Sequence, residues 1–252
     1  MALNTVEETE QSPPQPMEKQ PVVLVQFPYV WERNVSPFCL KLESWLRLAE
    51  IPFTVRVTMN PGGAPLGKLP YIIDGRQKIA DSSAIIAHLK QTRGVDPDAG
   101  LSDEDFARSH MLQRLLEEHL YFVLLYSRWI DPDGWSVLRD GFFRSLPAIF
   151  RPLVRAMARR SERQLLKKQG LGRLERTEVY ERGLADLAAI SCLLGDRSFF
   201  LGDQLTTIDA IAHGFLANIL YVPIESPLKR DAQHFTNLTA WCDAMENGLA
   251  AE

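Results

Sequence analysis

Two short groups of residues in the first third of the chain have the types and spacing of a ligand-binding site. Lys68, Leu69 and Pro70 open a short run of β-branched and aromatic residues, and Asp81 and Ser82 directly precede an apolar helical stretch. If the Leu69–Pro70 peptide bond is cis, the backbone N–H and C=O of Leu69 turn away from their own sheet and can pair with a peptide-like ligand. The free N–H groups at the start of the following helix suit a carboxylate. The two groups therefore predict a site for a small peptide-like ligand.

A strand, a helix and further strands are predicted to position these residues. Residues 21–27 form a nearly continuous apolar run, as expected for a strand buried on both faces, and residues 53–57 alternate as a second strand. Between them, Ser36 and Pro37 supply an N-cap residue and a proline at the first helical position. The resulting order is β-α-β and then β-β-α. With a proline before the third strand, it predicts a thioredoxin-like domain over residues 21–94.

The second half of the chain is predicted to be helical throughout. Residues 95–101 have the composition of a linker, and Ser102 starts a long helical stripe of apolar residues. Thr206 and Asp209 predict a capping box at the start of a buried helix. Further helices are expected at residues 136–158, 177–194, 207–221 and 236–245. The predicted fold class is an α/β thioredoxin-like N-terminal domain plus an all-α C-terminal domain, with a disordered tail at 1–20, domains at 21–94 and 102–252, and a linker at 95–101.

Composition excludes several classes of partner. The chain has 252 residues with 46% hydrophobic content, and its net charge of -4 is too small to indicate nucleic-acid binding. No stretch approaches the ~20 continuous apolar residues of a transmembrane helix, so no integral membrane segment is expected. Three scattered cysteines fit a reducing compartment, which predicts a cytoplasmic protein, and the five histidines show no metal-like pairing, so no metal is expected.

Three motifs in order make the chain resemble the glutathione transferase superfamily over residues 21–245. They are Ser36-Pro37-Phe38-Cys39, then Lys68-Leu69-Pro70-Tyr71-Ile72 with Asp81-Ser82, and finally residues 200–209, which run from Phe-Leu-Gly-Asp to Asp209. More narrowly, residues 36–43, 67–72 and 79–83 resemble the metaxin and failed-axon-connections branch.

The resemblance implies glutathione as co-substrate, bound by the first domain. Carried over residue by residue, Leu69 before Pro70 pairs with the cysteinyl backbone of glutathione, with Lys68 beside it, and Asp81 and Ser82 hold the γ-glutamyl end. The chemistry agrees, because the Ser82 hydroxyl and helix-start N–H groups suit a carboxylate and Asp81 can accept from an ammonium group. One departure is the crossing at residues 60–68, which is too short and too rich in Gly and Pro for the helix that many members have there.

The resemblance also places the chemistry at the start of the first helix. A hydrogen-bond donor together with a helix N-terminus lowers the pKa of a thiol, which is ~8.5 when unperturbed. Ser36 is the first candidate for that catalytic donor, and Tyr29 in the preceding loop competes with it. Cys39 lies one turn further in and is a nucleophile only if its sulfur faces the cleft.

The second domain is expected to supply an apolar co-substrate pocket and an unusual basic stretch. By resemblance its first long helix faces the ligand cleft, so Tyr121 and Trp129 are candidates to line a pocket for a small hydrophobic molecule. Residues 144–176 contain ten Lys or Arg against two Glu. That stretch is either a solvated helix and loop or a surface for an acidic partner or lipid.

The leading functional hypothesis is conjugation of glutathione to a hydrophobic electrophile, a transferase reaction of detoxification. The alternatives are a non-catalytic metaxin-like interaction or adaptor protein and, third, a glutathione-dependent thiol-disulfide reductase that acts through Cys39. A homodimer is compatible with the family resemblance, although no sequence feature fixes the interface.

Overall fold

The first half of the chain folds around one four-stranded sheet. The computed structural model describes residues 20–250, so the predicted tail lies outside the described residues except for its last position. β1 (Val22–Gln26) pairs in parallel with β2 (Phe53–Val57) and antiparallel with β3 (Tyr71–Asp74), which pairs in turn with β4 (Gln77–Ala80). The strand order is β2-β1-β3-β4. β1 is therefore a central strand, which explains its continuous apolar sequence.

Two helices complete this half. α1 (Pro37–Leu48) connects the parallel pair, and α2 (Ser82–Arg93) follows β4. α1 is amphipathic, and its buried Trp45 and Leu46 join a core cluster with residues of β1, β3 and α2. The crossing between β2 and β3 contains only a short 3₁₀ turn (Pro61–Gly63), as expected from its length and composition.

Helices make up the second half. They are α3 (Asp103–Leu115), a π-helical segment (Leu116–Leu120), α4 (Tyr121–Trp129), α5 (Pro132–Phe142), α6 (Arg151–Gln169), α7 (Arg176–Leu194), α8 (Thr207–Leu220), α9 (Pro227–His234) and α10 (Thr236–Ala250). The α/β first half and helical second half confirm the predicted fold class. No helix within residues 20–250 is both long enough and apolar enough to cross a membrane.

One predicted helix is wrong. Residues 136–158 do not form a single helix, because α5 ends at Phe142 and α6 begins only at Arg151. Pro147 lies in the break and cannot continue a helical hydrogen-bond ladder, whereas Pro152 sits in the first turn of α6, where proline is tolerated. α6 then runs on to Gln169, and the short helix α9 was not predicted at all.

The two halves are joined mainly by α1 packing against α8. Gly214 of α8 allows the contact, since a Cβ there would lie 2.6 Å from the Pro37 carbonyl oxygen and 2.7 Å from the Lys41 nitrogen. The predicted capping box of α8 is present: the Thr206 N–H donates to the buried Asp209 carboxylate at 3.0 Å. The helix that holds α1 in place is therefore itself fixed at its start.

Candidate functional site

A cavity of about 520 Å³ lies between the two halves, next to the start of α1. The first half contributes residues at the end of β1, at the start of α1 and in the crossing, among them Phe27, Ser36 and Pro61. α4, α5 and α6 contribute the other walls. Most lining residues are apolar, so the cavity is suited to a hydrophobic ligand with Ser36 at one edge.

Ser36 is held at the cavity by the loop that precedes α1. It is the N-cap of α1, and its Oγ accepts a hydrogen bond from the Cys39 N–H at 3.4 Å. Asn34 fixes the loop from the other side, because its side chain accepts from the Ser36 N–H at 3.0 Å and donates to the Phe27 carbonyl at 2.8 Å. Capping uses an acceptor site of the Ser36 hydroxyl, and its O–H interacts with the Cys39 thiol, whose pKa it lowers, so this O–H would turn from Cys39 toward the cavity to donate to a ligand.

The second candidate donor, Tyr29, does not line this cavity. Its hydroxyl donates to Glu43 Oε1 at 2.6 Å, and the residue lines a separate, more open depression of about 730 Å³. Burial, followed by the hydrogen bond to Glu43, raises the pKa of Tyr29 above its usual value. The Tyr29 hydroxyl is therefore hydrogen-bonded to α1, and Tyr29 does not line the cavity that Ser36 lines.

Tyr121 and Trp129, the predicted pocket residues, both line the cavity. Tyr121 packs edge-to-face against Phe38 with 5.0 Å between ring centroids, and Trp129 stacks at 5.7 Å on Trp135. Burial raises the pKa of the Tyr121 hydroxyl above its usual value. The structure thus brings Ser36, Tyr121 and Trp129 to one apolar space.

The predicted peptide-binding residues lie on the sheet side, outside the lining of the cavity. The Leu69–Pro70 peptide bond is cis. Leu69 packs in one apolar cluster with Cys39, which places it close to the start of α1. Lys68 is exposed and near Glu162, whose pKa it lowers against the larger effect of burial.

Asp81 caps α2 in an unusual backbone conformation. It has φ 71° and ψ 120°, which side-chain-bearing residues rarely adopt, and its Oδ1 accepts from the Ser83 and Ala84 N–H groups at 3.0 Å. The expectation that these two N–H groups are free is therefore wrong, because the Asp81 carboxylate already occupies them. Ser82 is 4% exposed and is the first residue of α2, directly after Asp81 with its strained backbone conformation. Strain of this kind tends to concentrate at ligand sites.

Cys39 is buried in an apolar cluster and does not face the cavity. It is fully buried, and that burial raises the pKa of its thiol to about 12 in spite of a hydrogen bond with Ser36. Because only the thiolate is an effective nucleophile, this environment disfavours disulfide exchange.

Two charged residues of the cavity were not among the candidate site residues. Arg128 is 5% exposed and donates to the Val35 carbonyl at 2.5 Å and to the Asn218 carbonyl at 2.7 Å. Burial lowers the pKa of Arg128 to about 10. The Arg128–Val35 contact ties α4 to the residue just before Ser36, so it positions the start of α1.

Glu162 is the other of these two charged residues. It lines the cavity from α6, its Oε2 is buried without a hydrogen-bond partner among residues 20–250, and burial raises the pKa of its carboxyl group. Neither Arg128 nor Glu162 belongs to a recognisable sequence motif. The only signal that could have indicated their place in the cavity is a single charged residue among apolar residues on one face of a helix. Within the same range, no group of three or more His, Cys, Asp or Glu is placed to hold a metal ion.

Comparisons with known proteins match both halves of the chain. The family model for the Glutathione S-transferase N-terminal domain matches residues 37–134, and that for the Glutathione S-transferase, C-terminal domain matches residues 183–245. Residues 135–182, which include most of α5 and all of α6, lie between the two matches.

Three curated relatives illustrate the range of similar proteins. The chain is 33% identical over 198 residues to the isoprene-epoxide–glutathione S-transferase of Rhodococcus sp. (strain AD45), covering 75% of this chain and 82% of the relative. It is 32% identical to Failed axon connections of Drosophila melanogaster, covering 75% of this chain but only 47% of that protein. It is 28% identical to metaxin-1 of Mus musculus, with 82% and 68% coverage.

Solved structures share the fold at low sequence identity. The glutathione transferase GSTFuA2 of Phanerochaete chrysosporium superposes with a TM-score of 0.64 at 18% identity, over 90% of this chain and 98% of that one. A glutathione S-transferase of Ceriporiopsis subvermispora, in complex with glutathione, gives 0.61 at 17% identity over 90% and 98%.

Proposed function

Since the chain belongs to the glutathione S-transferase superfamily, with metaxin-1 and Failed axon connections among its relatives, we propose that it conjugates glutathione to a hydrophobic electrophile. The observation that carries the proposal is the apolar cavity between the two halves, with the Ser36 hydroxyl at its edge. Glutathione bound on the sheet side and an apolar electrophile bound on the helical side would meet at this hydroxyl.

Glutathione would lie along the edge formed by Leu69, Pro70 and the start of α2. The backbone of Leu69 would pair with the cysteinyl unit, and the Ser82 hydroxyl and N–H would receive the γ-glutamyl carboxylate. The Asp81 carboxylate, although it caps α2 through Oδ1, keeps acceptor capacity for the ammonium group. Lys68 is exposed and free to meet the glycine carboxylate, in place of a helix in the shortened crossing.

In the proposed reaction, Ser36 would donate its O–H to the glutathione sulfur and stabilise the thiolate. The N-terminus of α1 adds a favourable dipole at the same point. The thiolate would then attack the electrophilic carbon of a co-substrate held against Tyr121 and Trp129, and the leaving group or opened ring would take the electron pair. The apolar walls would exclude water that competes for the electrophile.

Small epoxides are the first electrophiles to test, because one relative is named for an isoprene epoxide. The cavity, at about 520 Å³, has the size of an ordinary small-molecule site. Aryl halides are a second class to test, because the displaced halide leaves as an anion and needs no proton.

Binding and turnover test this proposal directly. We expect calorimetry to show glutathione binding at up to millimolar concentration and the Ser36→Ala variant to lose about 10- to 100-fold in kcat, the range of one hydrogen bond to a charged group. We also expect the pKa of the bound thiol, followed by thiolate absorbance, to rise in that variant.

Tyr29→Phe is the matched control for a lost hydroxyl. It should leave turnover unchanged, because the Tyr29 hydroxyl is bonded to Glu43 outside the cavity. Loss of turnover in Tyr29→Phe with none in Ser36→Ala would instead assign the donor role to Tyr29. No glutathione binding in the wild-type protein would reject the proposal.

The second candidate function is a non-catalytic interaction protein. The observations that favour it are the single 3₁₀ turn in place of a helix in the crossing and the capping of α2 by Asp81, both of which reduce the groups left for glutathione. Metaxin-1 and Failed axon connections are similar proteins. Absence of glutathione binding together with a stable, saturable partner complex would support this function.

A further inference from the structure

One face of α6 carries large apolar side chains that no other part of the described structure covers. Ile149 is 81% exposed, Phe150 57%, Leu153 63% and Met157 62%. Leu153 and Met157 are four residues apart and therefore lie on the same face of the helix, with Ile149 and Phe150 just before its first turn. Adjacent exposed side chains of this size form an interaction site more often than an ordinary surface.

The same face becomes basic toward the end of the helix. Positions 153, 157, 160, 164 and 168 follow one another at spacings of four and three, so Arg160 and Lys168 continue the stripe that starts with Leu153. Lys167 lies next to it, and all three cations are exposed. None of them has a carboxylate within ion-pair distance among residues 20–250.

Two other arginines of α6, Arg151 and Arg159, are engaged in the fold, which distinguishes them from this face. Arg151 donates to the Leu146 carbonyl at 2.7 Å. Arg159 donates to the Trp129 carbonyl at 3.0 Å and lies 4.5 Å over the Trp135 ring. The inward side of the helix also carries the buried Leu166. The exposed stripe is therefore not needed to pack α6 against the rest of the protein.

From this arrangement we propose that the exposed face of α6 docks on an anionic lipid surface. Phe150, Leu153 and Met157 would enter the boundary between headgroups and acyl chains, and Arg160, Lys167 and Lys168 would contact lipid phosphates. An acidic protein surface without an apolar patch would neutralise the cations but leave the four apolar side chains in water. A second copy packed apolar end to apolar end would cover those side chains but leave the cations unpaired. Only a surface that is both apolar and anionic matches the whole face.

Docking would also bring the cavity to the lipid. Met157 belongs to the exposed face and lines the cavity as well, so a docked α6 places one wall of the cavity at the membrane surface. An apolar co-substrate could then pass from the lipid into the cavity without crossing water. This second step depends on the proposed function, whereas the docking itself does not.

Flotation of the full-length protein with vesicles tests the docking. We expect binding to vesicles of phosphatidylcholine with phosphatidylserine, little binding to phosphatidylcholine alone, and a loss of binding as salt is raised. The double variant Lys167→Gln/Lys168→Gln should weaken binding about 25-fold, from about 5-fold per cation. Leu153→Gln should also weaken binding to the vesicles that contain phosphatidylserine.

Matched controls come from exposed residues elsewhere. Leu184→Gln removes an exposed leucine of α7, and Arg76→Gln/Lys78→Gln removes two exposed cations, one in the turn between β3 and β4 and one in β4; neither should change vesicle binding. Thermal unfolding of each variant checks that it is folded. Unchanged binding in both α6 variants would overturn the proposal. A second result would also overturn it: the wild type does not bind vesicles but forms a dimer in sedimentation velocity, and Leu153→Gln dissociates that dimer. The face would then join two copies of the chain. Neither result bears on whether glutathione binds.

Discussion

Cys39 and Cys192 are free thiols in opposite environments, and their reactivities should differ accordingly. Cys39 is buried and the pKa of its thiol is raised to about 12, whereas Cys192 is exposed on α7. We expect iodoacetamide at pH 8 to modify Cys192 at least about 10³-fold faster, since the thiolate fraction falls tenfold per pKa unit. Peptide mass spectrometry over time measures both rates in one sample.

The comparison also bears on the thiol-disulfide reductase hypothesis. If Cys39 in the folded protein were alkylated as fast as Cys192, its sulfur would be accessible, and a disulfide-exchange role would regain support. Urea-unfolded protein is the control, because there the two cysteines should react at similar rates.

Sequence reasoning at the residue scale found the residues with local signatures. Ser36 follows from N-cap preference, and it does reach the cavity together with Tyr121 and Trp129. Arg128 and Glu162 could not be found in this way, because their importance comes from burial beside the cavity. Tyr29 illustrates the converse, since proximity in sequence to Ser36 did not reveal its bond to Glu43.

At the scale of elements, the close approach of α1 and α8 depends on one glycine. In the Gly214→Ala variant the new Cβ would meet the Pro37 oxygen at 2.6 Å, and backbone atoms cannot move aside without separating the helices. We expect a loss of about 2–4 kcal/mol in the free energy of unfolding, as for other overpacked or strained core sites. Urea denaturation followed by circular dichroism measures it.

Gly248→Ala is the matched substitution in a helix with open space. Nothing lies within 4 Å of a Cβ at position 248 of α10, so helix propensity alone should act, stabilising the protein by up to about 1 kcal/mol. Equal effects at the two glycines would show that α1 and α8 tolerate separation, and the start of α1 would then be less firmly positioned than the structure implies.

The helices themselves were predicted where periodicity and caps agree, as for α8 with Thr206 and Asp209. The prediction failed between α5 and α6. There the apolar pattern continues across residues 143–150, but Pro147 has no backbone N–H and interrupts the helical hydrogen bonds. Hydrophobic periodicity alone does not take this loss of hydrogen bonds into account. The same segment lies between the two family-model matches, and its first residue, Phe143, lines the cavity.

At the scale of the whole molecule, the order of elements was predictable, but the contact between the halves was not. The β-α-β, β-β-α order determines the sheet, because right-handed crossovers leave few alternatives. Lys41, by contrast, is fully buried in α1, which the sequence alone gives no reason to expect of a lysine. Its partner, Glu117, is 76 residues further along the chain.

Lys41 and Glu117 form a buried ion pair between the halves. Lys41 Nζ lies 2.6 Å from Glu117 Oε1, with the two side chains 0% and 7% exposed. Burial lowers the pKa of Lys41 against the opposing effect of Glu117, so the charge depends on its partner. We expect Lys41→Met or Glu117→Leu alone to cost about 3–5 kcal/mol in unfolding free energy, because each leaves an uncompensated buried group.

The double variant Lys41→Met/Glu117→Leu should be less destabilised than the sum of the two single variants, because it removes both charges and leaves no ion unpaired. Ser83 and Gln113 would keep their mutual bond in it, in which the Gln113 amide donates to the Ser83 hydroxyl at 3.0 Å, while the bonds of Gln113 to Glu117 and of Lys41 to Ser83 would be lost. Urea unfolding of all four proteins at one pH gives the coupling energy. Strictly additive losses would mean that the pair contributes nothing beyond its separate side chains. Association of the halves would then rest on the packing of α1 against α8 together with other polar contacts, such as that of Arg128 with the Val35 carbonyl.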